Sequence, residues 1–420
     1  MDFILYALYL ILGILLGILT GITPGLHFNN VAIIVLSISS LFTIDPLYFA
    51  ITVTAMMITH TFADFIPSTF LGAPDEDTSL STLPMHRMLL KGEGYHAIYL
   101  STYGSLLAFL YSLPLIPLFF LLLVHLNLAK FFPQYIPLLL LAIILHMWYM
   151  ESLKNLRSML FAIIIFFLSG FFGIIALNFP FNHNFMPFKL FSPNPLFPIF
   201  TGLFGIPVLL QSRNSSIPPQ KLKIPKMDRR KYLASFVGTF SGSLVGFLPG
   251  VTSGIAAVIA RSFHKGKEED FIVSLGSVNT SNYIFNLLSL FLILRPRSFA
   301  VKTIQNLIFI EKWSSFSFPP SNFLILLLTC GFTVLISFFL TLLLGKIFAI
   351  YLGSLGRNYG YLNLIILGIV LLFIFLFGGA IALLLAFVAT LIGLLPPKFG
   401  VMRTHLMGVL ILPTLLHYLS

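Results

Sequence analysis

Few residues in this chain can do chemistry, because only 9% of its 420 residues are charged. Asp64 is the only acidic residue between Pro46 and Ala73, and His60 stands four positions before it. On a helix that spacing puts both side chains on one face. A carboxylate and an imidazole paired at membrane depth can relay a proton, and the carboxylate alone can hold a sodium ion. Either H+ or Na+ is therefore the expected coupling ion. The alternative is an interfacial acid close to a helix end at Pro67.

Two stretches set proline and glycine inside apolar surroundings: "GITPGLHFNN" at 21–30 and "GFLPGVTSGI" at 246–255. Proline removes a backbone donor and ends or kinks a helix. In hydrocarbon the freed backbone groups must be satisfied inside the protein. A helix restarting after such a break aims free N–H groups and its positive dipole end at the gap, which suits a carboxylate or a phosphate. The expected substrate-binding residues are Thr23, Pro24, Gly25, His27, Asn29 and Asn30 at the first break. At the second they are Pro249, Gly250, Thr252 and Ser253, joined by Asn279, Thr280 and Asn282 downstream. Structural kinks, a buried neutral His27 and polar contacts between helices are the competing readings.

No His-Glu-x-x-His or Gly-x-Gly-Asp stretch occurs, and the acidic run Asp75, Glu76, Asp77 reads as a solvated loop rather than a metal site. No metal, cofactor or enzymatic activity is expected. Cys330 lies in an apolar run, excludes an intrachain disulfide and reads as a packing residue.

The elements that must hold these residues are membrane helices. The chain is 58% hydrophobic, far too apolar for a soluble surface. Runs such as Phe3–Leu19, Tyr99–His125, Phe323–Ile350 and Leu362–Leu395 are long enough to span a bilayer. At one segment per about 20 apolar residues, roughly ten to twelve membrane segments are expected, in an all-α integral membrane fold. Trp148, Tyr149 and Trp313 read as interfacial belt residues.

The net charge of +11 does not point to nucleic acid. No Lys or Arg precedes Arg87, whereas residues 211–231 carry seven. That linker is rich in Ser, Pro and Lys, and its charge places it in the cytoplasm, with the N-terminus outside the cell membrane. It divides the chain into a first membrane repeat (1–210) and a second (232–420). Pro24-Gly25 and Pro249-Gly250 occupy matching places in the two, each followed by a polar patch. Opposite starts then imply inverted-topology repeats with broken or re-entrant helices at the Pro-Gly motifs, an arrangement that points to a secondary transporter.

The stretches "GITPGLHFNN", "LGAPDEDTSLSTLPMHRMLLKGEGYHA", "GFLPGVTSG" and "SVNTSN" resemble the TctA family, the large membrane subunit of tripartite tricarboxylate transporters, in its archaeal-type branch. The resemblance covers residues 21 to about 285. It implies a two-repeat carrier for organic carboxylates that works with a small membrane subunit and a substrate-binding protein. Family features near Pro74 and Pro84 are only partly kept: Gly72, Pro74, Pro84 and Lys91-Gly92 match, while Asp75 and Glu76 follow Pro74. A shorter similarity links "PGVTSG" to bacterial polyprenyl-phosphate carriers, so the alternative is translocation of a lipid phosphate.

Overall fold

The computed structural model describes residues 2–24, 26–74, 77–127, 132–179, 195–212, 216–248, 252–263, 267–314 and 318–419. Among the described residues there are helices, turns and coil, and no strand. The first half contains α1 (Phe3–Ile22), α2 (Phe28–Ser39), α3 (Pro46–Ala63), α4 (Phe65–Phe70), α5 (Thr82–Leu90), α6 (Gly94–Phe120), α7 (Phe132–Ser152), α8 (Leu156–Asn178), α9 (Leu196–Phe200) and α10 (Ile206–Ser212). The second contains α11 (Arg229–Val245), α12 (Ser253–Phe263), α13 (Glu268–Ile293), α14 (Phe299–Leu307), α15 (Ser321–Leu355), α16 (Tyr359–Gly393), α17 (Leu395–Phe399) and α18 (Gly408–Leu419).

Local chemistry sets several helix starts. The Asp2 carboxylate accepts from Ile4 N–H at 2.8 Å, and Asp45 does the same for Leu47 at 2.9 Å, with Pro46 in the first helical position. The 35-residue α16 is interrupted at Gly379, whose φ of 71° and ψ of −165° suit only a residue without Cβ. Pro67, expected near a helix end, lies inside α4, which follows α3 with only Asp64 between them.

Seven helices among the described residues are long and apolar enough to cross a membrane. This is fewer than apolar length alone suggests; the 35-residue α15 is one helix, and α16 counts once although Gly379 breaks it. In addition, α13 is long but polar. It carries Ser274, Ser277, Asn279, Thr280, Ser281, Asn286 and Ser289, all buried by neighbouring helices.

Glycine fixes the closest packing. Gly13 faces the Thr52 carbonyl, Gly17 faces Met56 and Thr59, and Gly21 faces His60 and Ala63, so α1 and α3 run in the same direction in tight contact. Gly238, Gly242 and Gly246 of α11 face Ser274, Val278 and Asn282 of α13 in the same way. Without a hydrophobic drive between helices in lipid, such backbone approach is a main source of cohesion.

Tyr6 bonds Thr329 at 3.2 Å and Thr59 bonds Ser337 at 2.9 Å, so α15 runs with α1 and α3. Ring contacts pair Tyr103 with Tyr232, Tyr111 with Phe236 and Phe119 with Phe247, so α6 runs with α11. Gly331 faces Phe109 and Gly345 faces Ile98, which makes α6 and α15 antiparallel.

Trp313, expected in an interfacial belt, is instead buried and stacks on Phe120 at 4.5 Å, whereas Tyr149 is exposed. Cys330 is buried among apolar residues. The linker is exposed at Lys221, Lys223 and Lys226 yet docked elsewhere. Gln220 accepts from Gly94 N–H at 2.8 Å and donates to Leu89 O at 3.0 Å. Lys221 N–H donates to Gly92 O, and Ile217 N–H to Gly356 O.

Candidate functional site

The first break begins where α1 ends at Ile22 and Thr23 turns extended, with φ −89° and ψ 108°. Gly25 lies outside the described residues. His27 caps α2: its Nδ1 accepts from Asn29 N–H at 3.2 Å and its carbonyl from Asn30 N–H. Asn29 Oδ1 accepts from Ala300 N–H at 3.0 Å, tying the break to the first turn of α14. His27 and Asn29, expected at the substrate, thus hold the break in shape.

The His27 ring lies 5.1 Å from the ring of His60. Thr20 gives its hydroxyl proton to Gly17 O at 3.2 Å, so His60 Nδ1 is the donor in its 3.1 Å bond to Thr20. Asp64 follows one turn later, its N–H bonded to His60 O, and is only 2% exposed.

Phe28 packs edge-on against both His60, at 4.9 Å, and Tyr283 of α13, at 5.1 Å. The Tyr283 hydroxyl donates to Asp77 Oδ2. The sequence reading put Asp77 in a solvated loop; it is buried. Its position was signalled only by the small polar residues that follow it, and Tyr283 only by its place one residue beyond the candidate Asn282.

At the second break Pro249 and Gly250 lie outside the described residues. Thr252 precedes α12 and accepts from Ala256 N–H. The Ser253 hydroxyl accepts from Asn282 Nδ2 at 2.8 Å, joining the start of α12 to α13. Thr280 meets Thr61 of α3 at 3.2 Å. Thr61 spends its proton on Ile58 O, so Thr280 donates to it.

Asn279 is fully buried, and neither its amide nitrogen nor its amide oxygen has a hydrogen-bond partner among the described residues. The buried Thr252 hydroxyl is in the same position. Leaving such groups unbonded costs roughly 1–3 kcal/mol each, and polar side chains held that way at membrane depth usually serve a ligand. Among the described residues no three metal-ligating side chains cluster.

The profile of the tripartite tricarboxylate transporter TctA family matches residues 7–408. An uncharacterized protein of the archaeon Methanocaldococcus jannaschii is 32% identical over 426 aligned residues, covering 99% of both chains. No solved structure matches the chain. The chain therefore belongs to the tripartite tricarboxylate transporter TctA family, and is a multi-pass membrane transporter rather than an enzyme.

Proposed function

We propose that this protein is a secondary transporter for a small organic carboxylate, bound between the two helix breaks. The observation that carries the reading is that, among the described residues, the buried side-chain polar atoms of Asn279 and Thr252 have no hydrogen-bond partner; Thr252 precedes α12, and Asn279 lies one turn before Asn282, which bonds Ser253. An amide N–H and a hydroxyl can both donate to a carboxylate, and the α12 N-terminus adds its positive dipole end. His60 and Asp64 are the coupling residues, with H+ or Na+ as the ion. Family membership favours a carboxylate over a polyprenyl phosphate, and supports a small membrane subunit and a substrate-binding protein as partners.

We read the two halves as one unit used twice with opposite direction. Three observations support this. Gly238, Gly242 and Gly246 stand at the same offset from Gly13, Gly17 and Gly21 as Pro249 from Pro24. The glycine-faced pairs α1–α3 and α11–α13 pack alike. The helices α6 and α15, which run with their opposite pairs, are antiparallel to each other. Basic residues in the linker favour a cytoplasmic linker and an external N-terminus.

The test is Asn279→Leu, which keeps the branched four-atom shape and removes the polar atoms. Replacing an unbonded buried amide by an apolar group is neutral or stabilising for the fold. We expect an unchanged or higher unfolding temperature together with loss of citrate binding by calorimetry and of radiolabelled citrate uptake into proteoliposomes. Wild-type binding and uptake in this variant would refute the proposed site.

A further inference from the structure

A cavity of about 410 Å³ lies away from the breaks, where α5, α12, the start of α13 and the turn preceding α18 come together. Four cations line it: Arg87, Lys154, Arg261 and Arg403. Two of them have an acid at hand. Arg87 pairs with Glu268 at 3.1 Å and Lys154 with Glu151 at 2.8 Å. Of the other two, Arg261 shares the cavity lining with Glu268 and feels its charge without an ion-pair contact, and Arg403 has no acid beside it among the described residues. Among the described residues neither Arg261 nor Arg403 has a carboxylate within 4 Å.

Arg403 is 8% exposed, and among the described residues its guanidinium bonds only neutral oxygens, Phe204 O at 3.4 Å and Gln211 Oε1 at 3.2 Å, while its Nε is buried without a partner. Arg261 stacks over the Phe271 ring at 4.8 Å, and among the described residues its Nη1 is likewise buried without a partner. Burial, helped by the neighbouring Arg87 charge, pulls the Arg403 guanidinium down to about 10, which leaves it charged at neutral pH. Two half-satisfied guanidinium groups facing one space are costly unless an anion completes them.

We infer that this cavity is a second anion site, separate from the helix breaks, and that it takes a small di- or tricarboxylate between Arg261 and Arg403. The inference rests on the carboxylate reading above. The volume suits a small polar ligand, and planar guanidinium groups match carboxylates in bidentate geometry. A chain of contacts links the cavity wall to the first break. Ser79 lines the cavity, and two residues before it Asp77 accepts from Tyr283, which packs on Phe28 at the first break. The cavity therefore acts as a vestibule that concentrates substrate ahead of the central site.

The test counts citrate bound to the full-length chain in nanodiscs of neutral phosphatidylcholine, by isothermal calorimetry. Wild type should bind two citrates. Arg261→Gln should bind one, its vestibule affinity lowered at least about tenfold. Asn279→Leu should also bind one, and the double variant none. Arg403→Gln should match Arg261→Gln, with the latter decisive if the loss of the bonds to Phe204 and Gln211 prevents folding. Two citrates bound by a folded Arg261→Gln would overturn the vestibule. Two bound by Asn279→Leu and one by Arg261→Gln would keep the vestibule and refute the central site. Co-purification of an anionic lipid that Arg261→Gln loses, with no citrate at that site, would assign the cavity to a lipid headgroup and overturn the carboxylate assignment.

Discussion

Substituting Gly21 by Ala tests whether the approach of α1 to α3 sets the geometry at His60. A methyl group there would stand 2.6 Å from the Ala63 Cβ and 3.2 Å from both His60 O and Asp64 N. Carbon atoms rest about 3.5–4.0 Å apart, so the helices must part by roughly 1 Å at this level. The bond from His60 Nδ1 to Thr20 is 3.1 Å and sits beside the contact, so that shift stretches it past the hydrogen-bond range. Overpacking costs about 1–3 kcal/mol, and Ala recovers up to about 1 kcal/mol of helix propensity. The net loss of stability is then about 0–2 kcal/mol. Uptake should fall much further, because a misplacement of about 1 Å in a working site can cost on the order of 100-fold. Gly368→Ala is the control: nothing lies within 4 Å of its added methyl, so it should be neutral or stabilising by up to about 1 kcal/mol. Thermal unfolding in detergent and citrate uptake in proteoliposomes measure the two effects. Unchanged uptake in folded Gly21→Ala would refute the argument.

If Asp64 couples transport, Asp64→Asn keeps size and hydrogen bonding but loses the titrating charge. Gradient-driven uptake should vanish while citrate counterflow continues, and normal uptake would remove Asp64 from the mechanism. Tyr283→Phe deletes the donor to a buried carboxylate at Asp77 and should destabilise by about 1–3 kcal/mol; Asp77→Asn in the same background should recover part of that in a thermal double-mutant cycle. Burial pushes the His86 imidazole, on α5, from its ordinary 6.5 down to about 4. The unfolded chain then takes up a proton between those values that the folded chain refuses, so about 3 kcal/mol of stability is lost as pH falls from about 6.5 to about 4. His86→Gln should flatten the unfolding midpoint across that window. Single cysteines at Lys223 and Asp45 should label from opposite sides of the membrane; labelling from one side would overturn the inverted reading.

Membrane character and the first helix break were legible because long apolar runs, and proline and glycine within them, are conspicuous in such a chain. The capping bond of His27 and the tie from Asn29 to α14 were not, since helix capping and ligand binding draw on the same polar residue types. Asp77 looked like a loop acid because its partner Tyr283 lies in another half of the sequence. The glycine rows were in plain view at every fourth position of α1 and α11, and they are the stronger signal of internal similarity than the two Pro-Gly pairs. The buried, central packing of α13 was hidden by its hydroxyl-rich composition, which is satisfied only once neighbours such as Gly104 and Ser105 accept and offer its bonds.

The docked linker has a mechanical consequence. Gln220 and Lys221 fasten it to the turn where α6 begins, and Ile217 fastens it to Gly356, where α15 ends. The antiparallel partners α6 and α15 are thereby stapled at one end. A lever of 27 residues is about 40 Å long, so a swing of about 5° about that staple moves the far end by roughly 3–4 Å. Any parting of the two helices about that staple would be small on the linker side and large on the opposite side.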